Sequence, residues 1–85
     1  MTKENFYEKA LSIIKADPDF FEYVEDESYY EESHGILVGF TKPTGFIDGL
    51  EKYFNERELN ERLFIHPCDG PKRKYNYYYI SYNDE

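Results

Sequence analysis

Apolar residues recur at helical spacing in the first part of the chain. Over residues 3–16, five of them follow the i, i+4, i+8 rows of one helical face: Phe6, Tyr7, Ala10, Leu11 and Ile14. Pro18 ends this predicted helix, because the residue before a proline is disfavoured in the helical region.

Residues 18–27 show a second helical pattern. Three apolar side chains fall in one arc of about 100° on a helical wheel, namely Phe20, Phe21 and Val24. Acidic residues fill the opposite arc, and Asp17 is suited to cap a helix that starts at the following proline. We therefore predict a short second helix; the alternative is a strand over residues 21–25.

Alternating positions replace the helical period in residues 28–41. We predict a β-hairpin here, with its turn around Ser33, His34 and Gly35. The strand after the turn has apolar residues on both faces, with Ile36, Val38 and Phe40 on one of them. This pattern indicates a central position in a sheet.

The remaining residues predict one more helix and two strands. The helix lies within residues 42–56 and has Thr44 as its N-cap. Its buried stripe consists of Phe46, Ile47, Leu50, Tyr53 and Phe54. The strands cover residues 62–67 and 74–82, joined by a turn at residues 69–71. In the last strand, Tyr78, Ile80 and Tyr82 share one face, and Tyr75, Tyr77 and Tyr79 share the other.

These elements predict a single α+β domain over residues 1–85. Two to three helices pack on one face of a small, three- to four-stranded, mostly antiparallel sheet. We expect exposed tyrosine side chains on the other face, because the ten Tyr hydroxyl groups cannot all be buried with hydrogen-bond partners.

Negative charge is concentrated in one part of this domain, residues 17–32, which we call the acidic segment. It contains eight carboxylates, five aromatic residues and no Lys or Arg. The rest of the chain has ten acids and ten bases, so the acidic segment carries all of the surplus behind the formal net charge of -8. This charge argues against binding to nucleic acid or to an anionic membrane and favours a basic partner.

We therefore expect a non-catalytic binding protein that inhibits a basic, nucleic-acid-handling protein. Carboxylates along a helix would imitate a line of phosphates, and Tyr rings would stack on Arg guanidinium groups. Phage anti-restriction and anti-CRISPR proteins of the DNA-mimic kind, and nuclease-immunity proteins, follow this strategy. The predicted charge contacts are Asp19, Glu22, Glu25, Asp26, Glu27, Glu31 and Glu32. The predicted aromatic anchors are Tyr23, Tyr29 and Tyr30.

An alternative function depends on the Tyr-rich C-terminal strand. Residues 75–82 are aromatic and uncharged. If they form an open sheet edge or an exposed face, a small structural or regulatory domain would use them to form a homodimer or to bind another protein. The acidic segment would then serve only solubility. We consider three interpretations of the basic run Lys72-Arg73-Lys74. It forms a solvated loop, it pairs with the acidic segment, or it contacts the phosphates of a nucleic acid.

The sequence gives little indication of catalysis, metal binding or a cofactor. His66 and Cys68 are separated by Pro67, which arranges them poorly as a base and a nucleophile. We find neither zinc-ligand spacing nor a calcium-loop pattern, so we expect no enzyme activity and no cofactor. A single cysteine and the lack of a long apolar stretch favour a cytoplasmic protein.

Overall fold

The computed structural model describes residues 2–26, 35–41 and 47–83. In chain order, the elements of this part are α1 (Lys3–Lys15), β1 (Tyr23–Asp26), β2 (Ile36–Phe40), α2 (Ile47–Asn55), β3 (Leu63–Cys68) and β4 (Asn76–Tyr82). The strands form one antiparallel sheet in the order β1-β2-β4-β3. The predicted α+β class is therefore confirmed, with two helices and four strands in the described residues.

Helix α1 forms where the hydrophobic pattern predicts it. Thr2 is the N-cap, and its Oγ1 atom accepts a hydrogen bond from the backbone N–H of Asn5 at 3.1 Å. Three side chains spaced by four residues are fully buried in the core: Phe6, Ala10 and Ile14. The helix ends at Lys15, one residue before the predicted end.

The predicted second helix over residues 18–27 is wrong. After α1 the N–H groups of Phe20 and Phe21 donate to the backbone carbonyl of Asp17 at 3.2 and 3.0 Å, which makes a single turn. The chain then enters β1, close to the alternative strand prediction. The strand is preferred because pairing with β2 satisfies its backbone groups along four residue pairs. Phe21 still reaches the core, with only 3% of its surface exposed.

The sheet places β2 in its interior, as predicted. β1 pairs with β2 in the register that sets Tyr23 opposite Gly39 and Asp26 opposite Ile36. All five residues of β2 are buried, because helices cover one face of this strand and tyrosine rings cover the other. The predicted hairpin strand over residues 28–32 and its turn residues Ser33 and His34 lie outside the described residues.

The core lies between the two helices and one face of the sheet. β2 and β4 contribute Ile36, Val38, Phe40 and Ile80. α2 contributes Leu50 and Phe54, both predicted for its buried stripe. Tyr78 and Tyr82 pack against the same cluster, so the predicted face of the last strand is confirmed. The predicted N-cap Thr44 and the predicted core residue Phe46 lie outside the described residues.

The C-terminal strand β4 lies between β2 and β3, so both of its edges are paired. An open edge on this strand, which the sequence left as one alternative, is therefore excluded. Tyr77 lies on the sheet face away from the helices but is only 5% exposed, contrary to our expectation of exposed tyrosines there. The β3–β4 loop covers it: the N–H of Lys72 donates to the Tyr77 hydroxyl at 2.8 Å.

Two valines that face each other across β1 and β2 provide a test of this packing. Val24 is 37% exposed and Val38 is fully buried. We expect Val38→Ala to lower the free energy of unfolding by about 2 kcal/mol, because it removes buried methyl groups and leaves a cavity. Val24→Ala is the matched control and should cost less than about 1 kcal/mol. Urea unfolding followed by circular dichroism measures both, and equal losses would contradict the assigned register.

Candidate functional site

The acidic segment supplies one edge strand of the sheet. β1 is the terminal strand and pairs with β2 alone in the sheet. Glu25 and Asp26 lie on β1, and Glu22 immediately precedes it. Asp19 lies exposed in the turn that joins α1 to β1. An edge strand has one side that is not paired within the sheet, and charged residues on such a strand are a common protection against edge-to-edge association.

Half of the predicted interface falls within the described residues. The structure brings five of the ten predicted residues together on β1 and the turn before it: Asp19, Glu22, Tyr23, Glu25 and Asp26. The other five lie outside the described residues: Glu27, Tyr29, Tyr30, Glu31 and Glu32.

A strand distributes these side chains differently from the predicted helix. Successive side chains of a strand point to opposite faces of the sheet. Tyr23 and Glu25 therefore lie on the open face, which we define as the face away from α1 and α2. Asp26 lies on the face that the helices cover, opposite Ile36 in β2. A single helical row of carboxylates is thus wrong, and the acids flank both faces of the edge strand.

Glu22 holds the start of β1 to the end of β2. Its Oε2 atom accepts a hydrogen bond from the backbone N–H of Thr41 at 3.0 Å. Its Oε1 atom accepts another from the Thr41 hydroxyl at 2.9 Å. Both carboxylate oxygens are used, so the side chain of Glu22 has a fixed position although the residue is exposed. The sequence did not indicate Thr41, because this contact depends on the register of β1 against β2.

Glu25 is oriented by its neighbour on the same face. The hydroxyl of Tyr23 donates a hydrogen bond to Glu25 Oε2 at 2.8 Å. The Tyr23 ring packs edge-on against the ring of Tyr77 on β4, with 5.4 Å between the ring centroids. Tyr23 is therefore a fixed, half-buried support for Glu25, and its role as an aromatic anchor for a partner stays a prediction.

The donors to Glu22 and Glu25 are electrically neutral. A hydroxyl or a backbone N–H orients a carboxylate, but it does not cancel the negative charge. Within the described residues, these contacts fix the positions of the two carboxylates at the edge of the sheet without adding positive charge.

The basic run lies next to the acidic strand on the open face. The rings of Tyr23 and Tyr75 are 6.2 Å apart, which brings the β3–β4 loop beside β1. In that loop Lys74 lies over the Tyr75 ring, with Nζ at 4.9 Å from the ring centroid. Lys72, Arg73 and Lys74 are all exposed. The open face thus carries acidic and basic groups side by side, joined by tyrosine rings.

The first carboxylate of the acidic segment has a different partner. Tyr53 of α2 donates its hydroxyl hydrogen to Asp17 Oδ2 at 2.8 Å. Arg57 lies over the same ring, at 3.6 Å from the centroid. Burial raises the pKa of Tyr53 to about 12, and the hydrogen bond to Asp17 adds to the rise, while the charge of Arg57 opposes it. This contact joins residues 36 positions apart, so no local sequence pattern indicated it.

The side chains considered for catalysis or metal binding lie on β3. Cys68 is a free, half-buried cysteine, and the exposed His66 ring stacks beside Phe64 with 6.0 Å between centroids. Within residues 2–26, 35–41 and 47–83, no group of three or more His, Cys, Asp or Glu side chains is arranged to hold a metal ion. No helix in the same ranges has the length and apolar composition needed to cross a bilayer.

Comparisons with known proteins identify no relative. No protein-family model, no curated protein and no solved structure matches this chain.

The Tyr53–Asp17 contact predicts how stability depends on pH. A Tyr pKa that is raised in the folded state stabilises the fold fully below the unfolded value of about 10. This contribution is lost as the pH rises from about 10 to about 12. We expect Tyr53→Phe to be less stable than the parent at neutral pH, and to lose less stability over this alkaline range.

The control for this prediction is Tyr75→Phe, in the β3–β4 loop away from Asp17. Urea unfolding measured at intervals of pH gives, for each protein, the slope of the free energy of unfolding against pH. Ionisation of the tyrosines other than Tyr53 and Tyr75 is common to all three proteins. The Tyr75→Phe slope should match that of the parent. An unchanged slope for Tyr53→Phe would contradict the assigned role of the contact.

Proposed function

We propose that this protein is a non-catalytic binding protein that inhibits a basic, nucleic-acid-handling protein through its acidic edge strand. The supporting observation is that residues 23–26 of the acidic segment form an edge strand of the sheet, with Glu22 and Glu25 held by neutral donors. Side chains that are already ordered lose less conformational entropy on binding, so fixed carboxylates favour association.

The distribution of charge supports the same function. The chain has a formal net charge of -8, and the acidic segment carries the whole surplus. Concentrated charge of one sign steers an oppositely charged partner and raises association rates by about 10- to 1000-fold at low salt. A groove that normally binds phosphates is rich in Arg and Lys, and Arg forms paired hydrogen bonds with carboxylates.

This chemistry defines the type of partner. A protein that presents carboxylates to a phosphate-binding groove acts as a DNA mimic, and phage anti-restriction, anti-CRISPR and nuclease-immunity proteins are the concrete forms. The β3–β4 loop, which contains Tyr75 and the basic run, places positive charge next to the negatively charged β1. Such an arrangement favours one orientation of the partner. The single cysteine supports a cytoplasmic setting for this function.

The alternative, association through the C-terminal strand, has less support. β4 is paired on both sides, and Tyr77 is buried beneath the β3–β4 loop. Binding through β4 would therefore use only the half-buried side chains of its open face, of which Tyr79 is one.

Charge reversal on the edge strand tests the proposed surface. We expect Asp19→Lys combined with Glu25→Lys to fold and to lose at least about tenfold in affinity for the partner, because like charges then face its basic groups. The measurement is capture of proteins from a bacterial lysate on the immobilised protein, with mass spectrometry of what is retained.

The matched control reverses two exposed carboxylates elsewhere, Glu8 on α1 and Glu51 on α2. It changes the net charge by the same amount but leaves the edge strand intact. The control should retain the same basic, nucleic-acid-binding protein as the parent. Equal loss in both double variants would assign the binding to net charge alone, and equal retention would exclude the edge strand as the interface.

The same capture assay gives a second, independent prediction. Attraction between charged surfaces is screened by salt, over a Debye length of about 10 Å at 0.1 M. We therefore expect the retained protein to elute as NaCl is raised from about 0.05 M to about 0.5 M. Retention that is unaffected by salt would contradict an electrostatic interface.

A further inference from the structure

The two edges of the sheet are chemically different. β1 carries Glu25 and Asp26, whereas β3, with the sequence LFIHPC, contains no Asp, Glu, Lys or Arg. β3 pairs with β4 alone in the sheet, so it is the second edge strand. Phe64 on β3 is 47% exposed, and the exposed His66 stands beside it on the open face. An uncharged edge strand with an exposed aromatic residue is suited to pair with another strand.

Pro67 indicates which backbone groups of β3 point outward. In a strand, the N–H groups of alternate residues point to the same side. A residue whose N–H faces β4 must donate to the sheet, and proline has no N–H, so Pro67 faces outward. Ile65 and Leu63 lie two and four residues before Pro67, so their N–H and C=O groups also point away from β4.

From these observations we propose that β3 pairs antiparallel with β3 of a second copy of this chain, with the two-fold axis at Phe64. In this register Leu63 lies opposite Ile65 of the second copy, and the outward N–H and C=O groups of these residues bond reciprocally. The two exposed Phe64 side chains then face each other on the open face, where aromatic cross-strand pairs are favourable.

The distribution of charge favours a second copy on β3 over any other self-pairing of these edges. Pairing of β1 with β1 of the second copy would set the carboxylates of Glu25 and Asp26 against the carboxylates of that copy. Pairing of β1 with β3 would leave a free edge at each end and would not close. Pairing through β3 closes the assembly and puts the two β1 strands at opposite ends of an eight-stranded sheet, roughly 34 Å apart at about 4.8 Å per strand. That separation exceeds the Debye length of about 8 Å at physiological salt.

Pro67 decides between the two registers centred on the exposed part of β3. A two-fold axis at Ile65 would place Leu63 opposite Pro67 of the second copy, and each such pair would lose one hydrogen bond because proline has no N–H. An axis at Phe64 places Leu63 opposite Ile65 instead, where both N–H groups are present. The register at Phe64 therefore keeps both hydrogen bonds of each pair within β3. This inference does not depend on the proposed inhibitory function.

Sedimentation of purified variants tests the interface. We expect the parent to dimerise with rising concentration, and Phe64→Lys to weaken the dimer at least about tenfold because two ammonium groups would meet at the axis. Val24→Lys is the matched control, since Val24 is the exposed apolar residue on the opposite edge, and its dimer should equal that of the parent. Circular dichroism verifies that both variants fold. A parent that stays monomeric at high micromolar concentration, or a Phe64→Lys dimer as tight as the parent, would overturn the proposal.

Disulfide trapping tests the register. Phe64→Cys in a Cys68→Ser background should oxidise to a covalent dimer, because residues directly opposite each other have Cβ atoms about 4.5–5.5 Å apart. His66→Cys in the same background is the control. Its two thiols would be offset by four residues along the strands, roughly 13 Å, beyond disulfide reach. Efficient cross-linking at position 66, or none at position 64, would exclude the register at Phe64.

Discussion

The pairing of β1 with β2 is the interaction on which the rest of this structure depends. It forces residues 23–26 into a strand and so fixes this part of the acidic segment at one edge of the sheet. The same register delivers Phe21 to the core, sets Glu22 beside Thr41 and lays the Tyr23 ring against Tyr77. Because backbone pairing, core burial and carboxylate contacts all require one register, a slip by a single residue would break all three.

Hydrogen bonds from uncharged donors hold three carboxylates of the acidic segment in place. Glu22, Glu25 and Asp17 accept hydrogen bonds from hydroxyl or backbone N–H donors of Thr41, Tyr23 and Tyr53. Such donors restrict the positions of the carboxylates without adding positive charge. Two tyrosines, Tyr23 and Tyr53, therefore support carboxylates of the acidic segment. The opposite edge, β3, has neither charge nor such supports, so the two ends of one sheet are suited to different partners.

The sequence predicted the elements whose pattern is local and strong. α1, the buried residues of α2, the central position of β2 and the core face of β4 all follow from periodicity. The pattern failed at residues 18–27, where an amphipathic helical arrangement was overridden by strand pairing with β2. The partners of the carboxylates were also beyond prediction. Thr41 and Tyr53 lie 19 and 36 residues from Glu22 and Asp17, and only the tertiary fold brings them together.

Nuclear Overhauser effects between backbone protons in solution would test most directly whether the acidic segment forms an edge strand. We expect cross-strand contacts between Val24 and Val38 and between Glu25 and Leu37, in the register of β1 with β2. We also expect strong contacts between sequential residues over positions 23–26, as in extended backbone. Medium-range contacts between residues three and four apart across positions 18–27 would show a helix instead. That result would contradict the acidic edge strand and every inference drawn from it.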